Sequence, residues 1–330
     1  MSSAPASEEI WNDARWLAQA VDPGAGLVRL VEMTPQSYRD ASFLDDRMFQ
    51  EPRASHLVRW DDVARTMPHG SRSDVRWIFH IGHVGSTLVS RLLGEIETVL
   101  AVREPRALRD LTFFPREVRG DFVPTLRALL SRTFAPEQQA LVKATSIVSE
   151  IAGELVPAGG RALFLYASPK SYIAGILAGE NSRRELNGLA ASRLQRMAGR
   201  GIELPQQRND AELAAAAWAC EMTALEAAAG ANILWADFDQ FLDDVESSLR
   251  TLSDFLGFDA SDEKLAEIAR GPLMRRYSKA TEYEYSPELR RQLLDEAAAA
   301  HRGEIDSALA MLASAAETAP LLRRALERAQ

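Results

Sequence analysis

Six residues, Gly82-His83-Val84-Gly85-Ser86-Thr87, carry the most chemistry in this chain. They follow the apolar run VRWIFHI (75–81) and precede Leu88, Leu92 and Leu93, which repeat at helical spacing. Glycine at 82 and 85 lets the backbone turn tightly and bare successive N–H groups. Ser86 and Thr87 then open a helix whose positive end faces any bound anion. Such a turn is built for a phosphate or a sulfate, although glycines at a strand–helix junction can also serve packing alone. The ATP and GTP form of the motif, GxxxxGK[ST], needs Lys directly before the hydroxyl residue, and this loop contains no Lys.

The elements that must position further chemistry come next along the chain. TVLAV (98–102) reads as a short strand ending in Arg103-Glu104-Pro105, which puts a carboxylate at a strand's C-terminal edge, where open α/β sheets hold ligands. Glu104 could equally pair with Arg103 or Arg106 on the surface. ALVKATS (140–146) is a strand carrying Lys143 towards its polar end, and RALFLYASPKSYIAGILAGE (161–180) gives a buried strand, a Ser168-Pro169 turn and a helix with Lys170 and Ser171 in its first turn. NILWADF (232–238) is a late strand, followed by an amphipathic helix that closes on Phe255-Leu256-Gly257. Helices are expected at about Ser86 to Ile96, 122–134, 181–200 and 212–229, with Trp218 and Met222 as core. Arg183 and Arg184 on the third of these either reach an anion or form a solvated face.

Ahead of the loop, IWNDARWLAQAV (10–21) places Trp11, Ala14 and Leu17 or Ala18 on one helical face, so a short helix is expected, ended by Asp22-Pro23-Gly24. LVRLVEM reads as an extended segment, Phe43 and Leu44 seat a mixed stretch, and SHLVRW (55–60) is strand or loop. The chain thus divides into an N-terminal extension, 1–74, packed on a larger domain, 75–330.

With 330 residues, 46% hydrophobic and 26% charged, the chain can bury a full core in one large α/β domain. A net charge of −9 argues against a general nucleic-acid binder. The single Cys220 allows neither an intrachain disulfide nor a cysteine metal cluster, and the five His are scattered, so no metal site is expected. No apolar run reaches the ~20 residues of a membrane span and residues 1–10 lack signal-peptide character, which together read as a soluble, cytoplasmic protein.

The six-residue loop resembles the PKSGTT or PRSGTT loop of the P-loop sulfotransferases, with His83 where that family has Lys or Arg. The likeness runs in order over about 75–285. It implies an α/β three-layer fold, a central parallel sheet with helices on both faces. It also implies transfer of a sulfuryl group from 3′-phosphoadenylyl sulfate (PAPS) to a hydroxyl or amine acceptor, without a metal. Glu104 matches the position of the base in the protein-tyrosine type. In the cytosolic type a comparable strand ends Lys-Thr-His, and here Lys143-Ala144-Thr145 keeps the lysine without the histidine. The resemblance therefore assigns the sulfuryl oxygens to the N–H groups of 84–87 and Lys143, the leaving phosphate to His83, and the acceptor proton to Glu104. The family's Arg and Ser for the donor 3′-phosphate fall on Ala167 and Gly175, which leaves Lys170 and Ser171 as substitutes. Arg275, Arg276 and Lys279 form a late basic loop where the family closes the nucleotide site. A P-loop kinase using ATP and Mg²⁺, or a catalytically silent nucleotide-binding protein, are the alternatives. The acceptor stays open, and the Ala-rich C-terminal helices dress the core or make an oligomer contact.

Overall fold

A computed structural model describes residues 4–50, 53–276 and 286–330. Its first structural unit is a three-stranded antiparallel sheet: β1 (Trp16–Asp22), β2 (Leu27–Glu32) and β3 (Ser55–Arg59) in the order β1-β2-β3. The helix expected over 10–21 is corrected here, because only Ser7–Asn12 is helical and, after a turn at 13–15, the chain enters β1. Ladder pairing with β2 outweighs the helical spacing of Trp11, Ala14 and Leu17. The hairpin between them is set by the Asp22 carboxylate, which accepts the Ala25 N–H at 2.9 Å, and by Gly26 at φ +64°.

The second sheet has five strands: β4 (Arg76–His80), β5 (Val99–Arg103), β6 (Gln139–Lys143), β7 (Ala162–Tyr166) and β8 (Ile233–Asp237). All pairs are parallel, in the order β5-β6-β4-β7-β8. Continuous apolar runs such as ALFLY, buried at every position, are what a parallel strand covered on both faces requires. From β4 the chain crosses to the sheet edge at β5, returns through β6 to β4's side, and then passes to β7 and β8 on the other side. Adjacent strands on either side of β4 thus lead away in opposite directions, which opens a crevice at the carboxyl ends of the central strands.

Helices flank this sheet. Ser86–Leu93 touches β4, β5 and β6 and packs with Val245–Leu256, whose end is received by the sheet: Arg76 donates to the Leu256 carbonyl at 2.7 Å and Arg161 to that of Phe255 at 2.8 Å. Helix Asp210–Ala227 is buried nearly all round, as its Ala-rich sequence allows, and lies among helices Pro169–Leu177, Glu180–Gly199, Arg302–Ala316 and Pro320–Arg328. The helix expected over 122–134 spans Arg116–Leu130 instead.

Two buried arginines hold the backbone of residues 10–41 to this layer. Arg103, at the end of β5, donates to the carbonyls of Tyr38, Arg39 and Ala41, and Arg132 donates to those of Ile10, Trp16 and Leu129. Each guanidinium thus fixes a stretch of extension backbone, and burial lowers the pKa of both.

Candidate active site

β4 delivers its last residue, His80, into the crevice. The Gly82 N–H donates to His80 Nδ1 at 2.9 Å, which leaves the ring proton on Nε2, 2.9 Å from the Ala144 carbonyl. One neutral imidazole therefore ties the start of the loop to the residue just past β6. Gly82, His83 and Gly85 all take left-handed backbone, with φ of +80°, +54° and +62°. Gly85 is required twice over, since a Cβ there would also sit 1.9 Å from the Phe238 ring. Helix Ser86–Leu93 starts directly after it. The Thr87 hydroxyl in its first turn is fully buried and has no hydrogen-bond partner among the described residues. A left-handed turn, free helix N–H groups and an orphaned hydroxyl fit the oxyanion of a phosphate or sulfate.

Beside the loop the carboxyl ends of β5 and β6 meet. The Glu104 N–H donates to the Lys143 carbonyl at 2.7 Å, and the Lys143 ammonium is bonded to Glu104 Oε1. Both side chains are buried, at 1% exposure for Lys143 and 7% for Glu104. Glu104 is non-glycine at φ +53°, a conformation that persists only where its surroundings hold it. Its second oxygen accepts from Arg47 Nη2 at 3.1 Å, and Arg47 is paired in turn with Asp45 at 2.6 Å. Burial pushes the Asp45 carboxyl up, but hydrogen bonds from Arg47 and the charges of Arg47 and Arg109 outweigh it and leave the group below its usual range. Phe43 lies under Arg47 at 3.4 Å and 5.9 Å from the Lys143 ammonium.

The remaining expected residues are spread over the rim of this centre. His83 turns towards helix Glu180–Gly199, with Nδ1 3.4 Å from Ser182 Oγ and Nε2 3.6 Å from a Glu185 carboxylate oxygen, and its ring meets Tyr172 edge-on at 6.5 Å. Val84 is buried at the turn. Lys170 is exposed in the first turn of helix Pro169–Leu177, where the Ser171 N–H donates to the capping Ser168 hydroxyl at 3.2 Å. That N–H is committed to the cap, so an anion there would rely on Lys170. Arg276 is exposed, and Lys279 lies outside the described residues. Arg183 caps the preceding helix through the Leu177 carbonyl, and Arg184 pairs with Glu180 on the surface. Neither is directed at the loop by these bonds.

The two positions aligned with the family's 3′-phosphate ligands are apolar packing positions. Ala167 is 1% exposed and its carbonyl accepts the Trp218 indole N–H at 3.0 Å. A Cβ at Gly175 would meet Leu294 of helix Pro287–Ala300 at 3.5 Å.

No protein-family model matches the chain, and no curated protein matches it at a significant level. Solved structures do. The sulfotransferase domain from the curacin biosynthetic pathway is 14% identical, with TM-score 0.38, covering 67% of this chain and 89% of its own. The sulfotransferase domain from the Synechococcus PCC 7002 olefin synthase is 14% identical, with TM-score 0.38, covering 70% and 89%. Mouse sulfotransferase SULT7A1, solved with PAP, is 14% identical, with TM-score 0.34, covering 60% and 64%. The fold class rests on the chain itself. Its own strand order, parallel sheet and glycine loop define an α/β P-loop architecture with helices flanking the sheet. Among the described residues no helix is long and apolar enough to cross a membrane.

Four side chains at or beside the centre carry no site assignment from the sequence: Asp45, Arg47, His80 and Phe238. His80 shows only as a scattered histidine, and Asp237-Phe238 only as the end of a late strand. The one signal for Arg47 is the charge-dense DDR that follows Phe43-Leu44, and nothing in it marks a partner 57 residues away.

Proposed function

We propose that this protein transfers a sulfuryl group from PAPS to a hydroxyl or amine acceptor. The observation that carries the reading is one junction: the anion-fitted turn at Gly82–Thr87 lies against the end of β6, and the end of β6 holds the buried Lys143–Glu104 pair. A Cβ added at Gly82 would lie 3.7–3.8 Å from the Ser146 side chain, just beyond Lys143. Chemistry at such a junction needs little beyond positioning and charge.

In this reading the N–H groups of 84–87 and the Thr87 hydroxyl bind donor oxygens, and Lys143 faces the transferring group. Glu104 takes the proton of the acceptor hydroxyl or amine as the new bond to sulfur forms. The bond from sulfur to the bridging phosphate oxygen breaks, and His83 donates a hydrogen bond to that oxygen after turning from Ser182. The residues fit the 5′ end of the donor. At the other end Ala167 and Gly175 offer no group for a 3′-phosphate, so that charge falls to Lys170.

The apolar packing at Ala167 and Gly175 favours a second reading, a phosphotransferase whose donor, such as ATP, has no 3′-phosphate. The loop without lysine stands against it. Release of adenosine 3′,5′-bisphosphate (PAP) from PAPS, measured over a panel of alcohols and amines without added metal, tests the first reading. Acceptor-dependent release that is lost in Glu104→Gln supports it. Phosphoryl transfer from ATP–Mg²⁺, with PAPS inert, supports the second.

A further inference from the structure

We infer that Arg47 is a positioning residue for Glu104, so that the N-terminal segment completes the reaction centre on the main sheet. This rests on the reading of Glu104 as the base. Glu104 sits in left-handed backbone just past a strand end, and both of its carboxylate oxygens are held. Lys143 holds Oε1, and Arg47 Nη2 holds Oε2 at 3.1 Å. Arg47 is itself aligned by two parallel bonds to Asp45, Nε to Oδ1 at 2.8 Å and Nη2 to Oδ2 at 2.6 Å, and its face rests on the Phe43 ring. Asp45 is buried, whereas the Arg47 side chain is half exposed, so the guanidinium forms the solvent-side wall of the Glu104 carboxylate. The row Asp45, Arg47, Glu104, Lys143 alternates in sign and sums to zero. Removing its second member frees one carboxylate oxygen and leaves Asp45 without its paired cation.

The segment holding Arg47 is fixed to the strand that ends in Glu104. The Leu44 N–H donates to the Arg103 carbonyl at 2.7 Å, and the Arg103 guanidinium holds the carbonyls of 38, 39 and 41. Arg47 and Glu104 therefore move as one unit, although they are far apart in sequence.

The test uses the full chain and a readout independent of turnover. Water-soluble carbodiimide with glycine ethyl ester labels accessible carboxylates, and peptide mass spectrometry reads the rate at Glu104. Arg47→Met is expected to speed labelling at Glu104 by about 10-fold, with free guanidinium ion restoring slow labelling and Arg47→Lys lying between. In the transfer assay the same variant is expected to lose kcat by about 10- to 100-fold with the donor KM unchanged. If Arg47→Met fails to fold, Asp45→Asn, which releases Arg47 while retaining its charge, is expected to raise Glu104 labelling to a smaller degree. Unchanged Glu104 labelling in a folded Arg47→Met protein overturns the inference. Raised labelling in a protein that shows no sulfuryl transfer leaves the positioning intact and removes the proposed reaction.

Discussion

Glu104 and Lys143 are joined twice at the carboxyl ends of neighbouring strands, through the backbone at 2.7 Å and through a buried ion pair. The backbone bond fixes the separation of the two residues, and the side-chain bond fixes the two groups on each other. A buried pair of this kind is costly to break from one side.

On the proposed reading Glu104→Gln is expected to lower turnover by about 10²- to 10⁴-fold, because it would remove the proton acceptor while keeping side-chain shape. It also leaves Lys143 buried without its counter-charge, at a cost of about 3 kcal/mol. Lys143→Met should cost a similar amount, and the double variant less than the sum of the two. Urea unfolding of the three proteins measures this, and strict additivity would contradict a coupled pair.

Gly85 faces the Phe238 ring, and Gly85→Ala drives a methyl into it from a left-handed backbone. The expected loss is about 1–3 kcal/mol of stability together with anion binding by the loop. The double variant with Phe238→Ala should lose less than the sum of the two single losses, because the clash disappears while the backbone strain and the cost of deleting a buried ring stay. Thermal unfolding of the single and double variants reads the difference.

On the proposed reading Lys170, exposed in the first turn of its helix, takes the 3′-phosphate, because Ala167 and Gly175 offer it no polar group. PAP is expected to bind about 10-fold more tightly than AMP, a margin of one exposed charge-assisted contact. Lys170→Ala should erase it. Calorimetry with both nucleotides distinguishes this from a 3′-phosphate site elsewhere, where the variant would keep the margin.

Cys220 is fully buried in helix Asp210–Ala227, and burial first, then the neighbouring Glu221, push its thiol up to about 12. It should stay unreactive to a thiol-specific disulfide reagent at pH 8 in the native protein and react fully after unfolding. Rapid native labelling would place the helix elsewhere.

Much of the main sheet is legible in the sequence because its signals are local. VRWIFHI, TVLAV and RALFLY are short apolar runs bounded by turns, and the glycines of the loop sit where left-handed backbone is needed. Glu104 and Lys143 stand out as polar residues at strand ends. The N-terminal sheet is legible only in part: LVRLVEM reads as extended and is β2, SHLVRW reads as either strand or loop and is β3, and the first strand is missed. WLAQAVD has helical as well as extended spacing, and only its pairing with LVRLVE decides between them. Arg47, whose distant partner Glu104 follows a strand of the main sheet, and Leu294, which lies beside Gly175, act through tertiary contacts alone. No spacing rule links either to its contact.

Binding of PAP by the purified protein, with no metal present, tests the central claim most directly. The expected result is a metal-independent titration that is lost in Gly85→Asp, where a carboxylate replaces the bare turn. Binding of ATP–Mg²⁺ alone, or of no nucleotide, would contradict it.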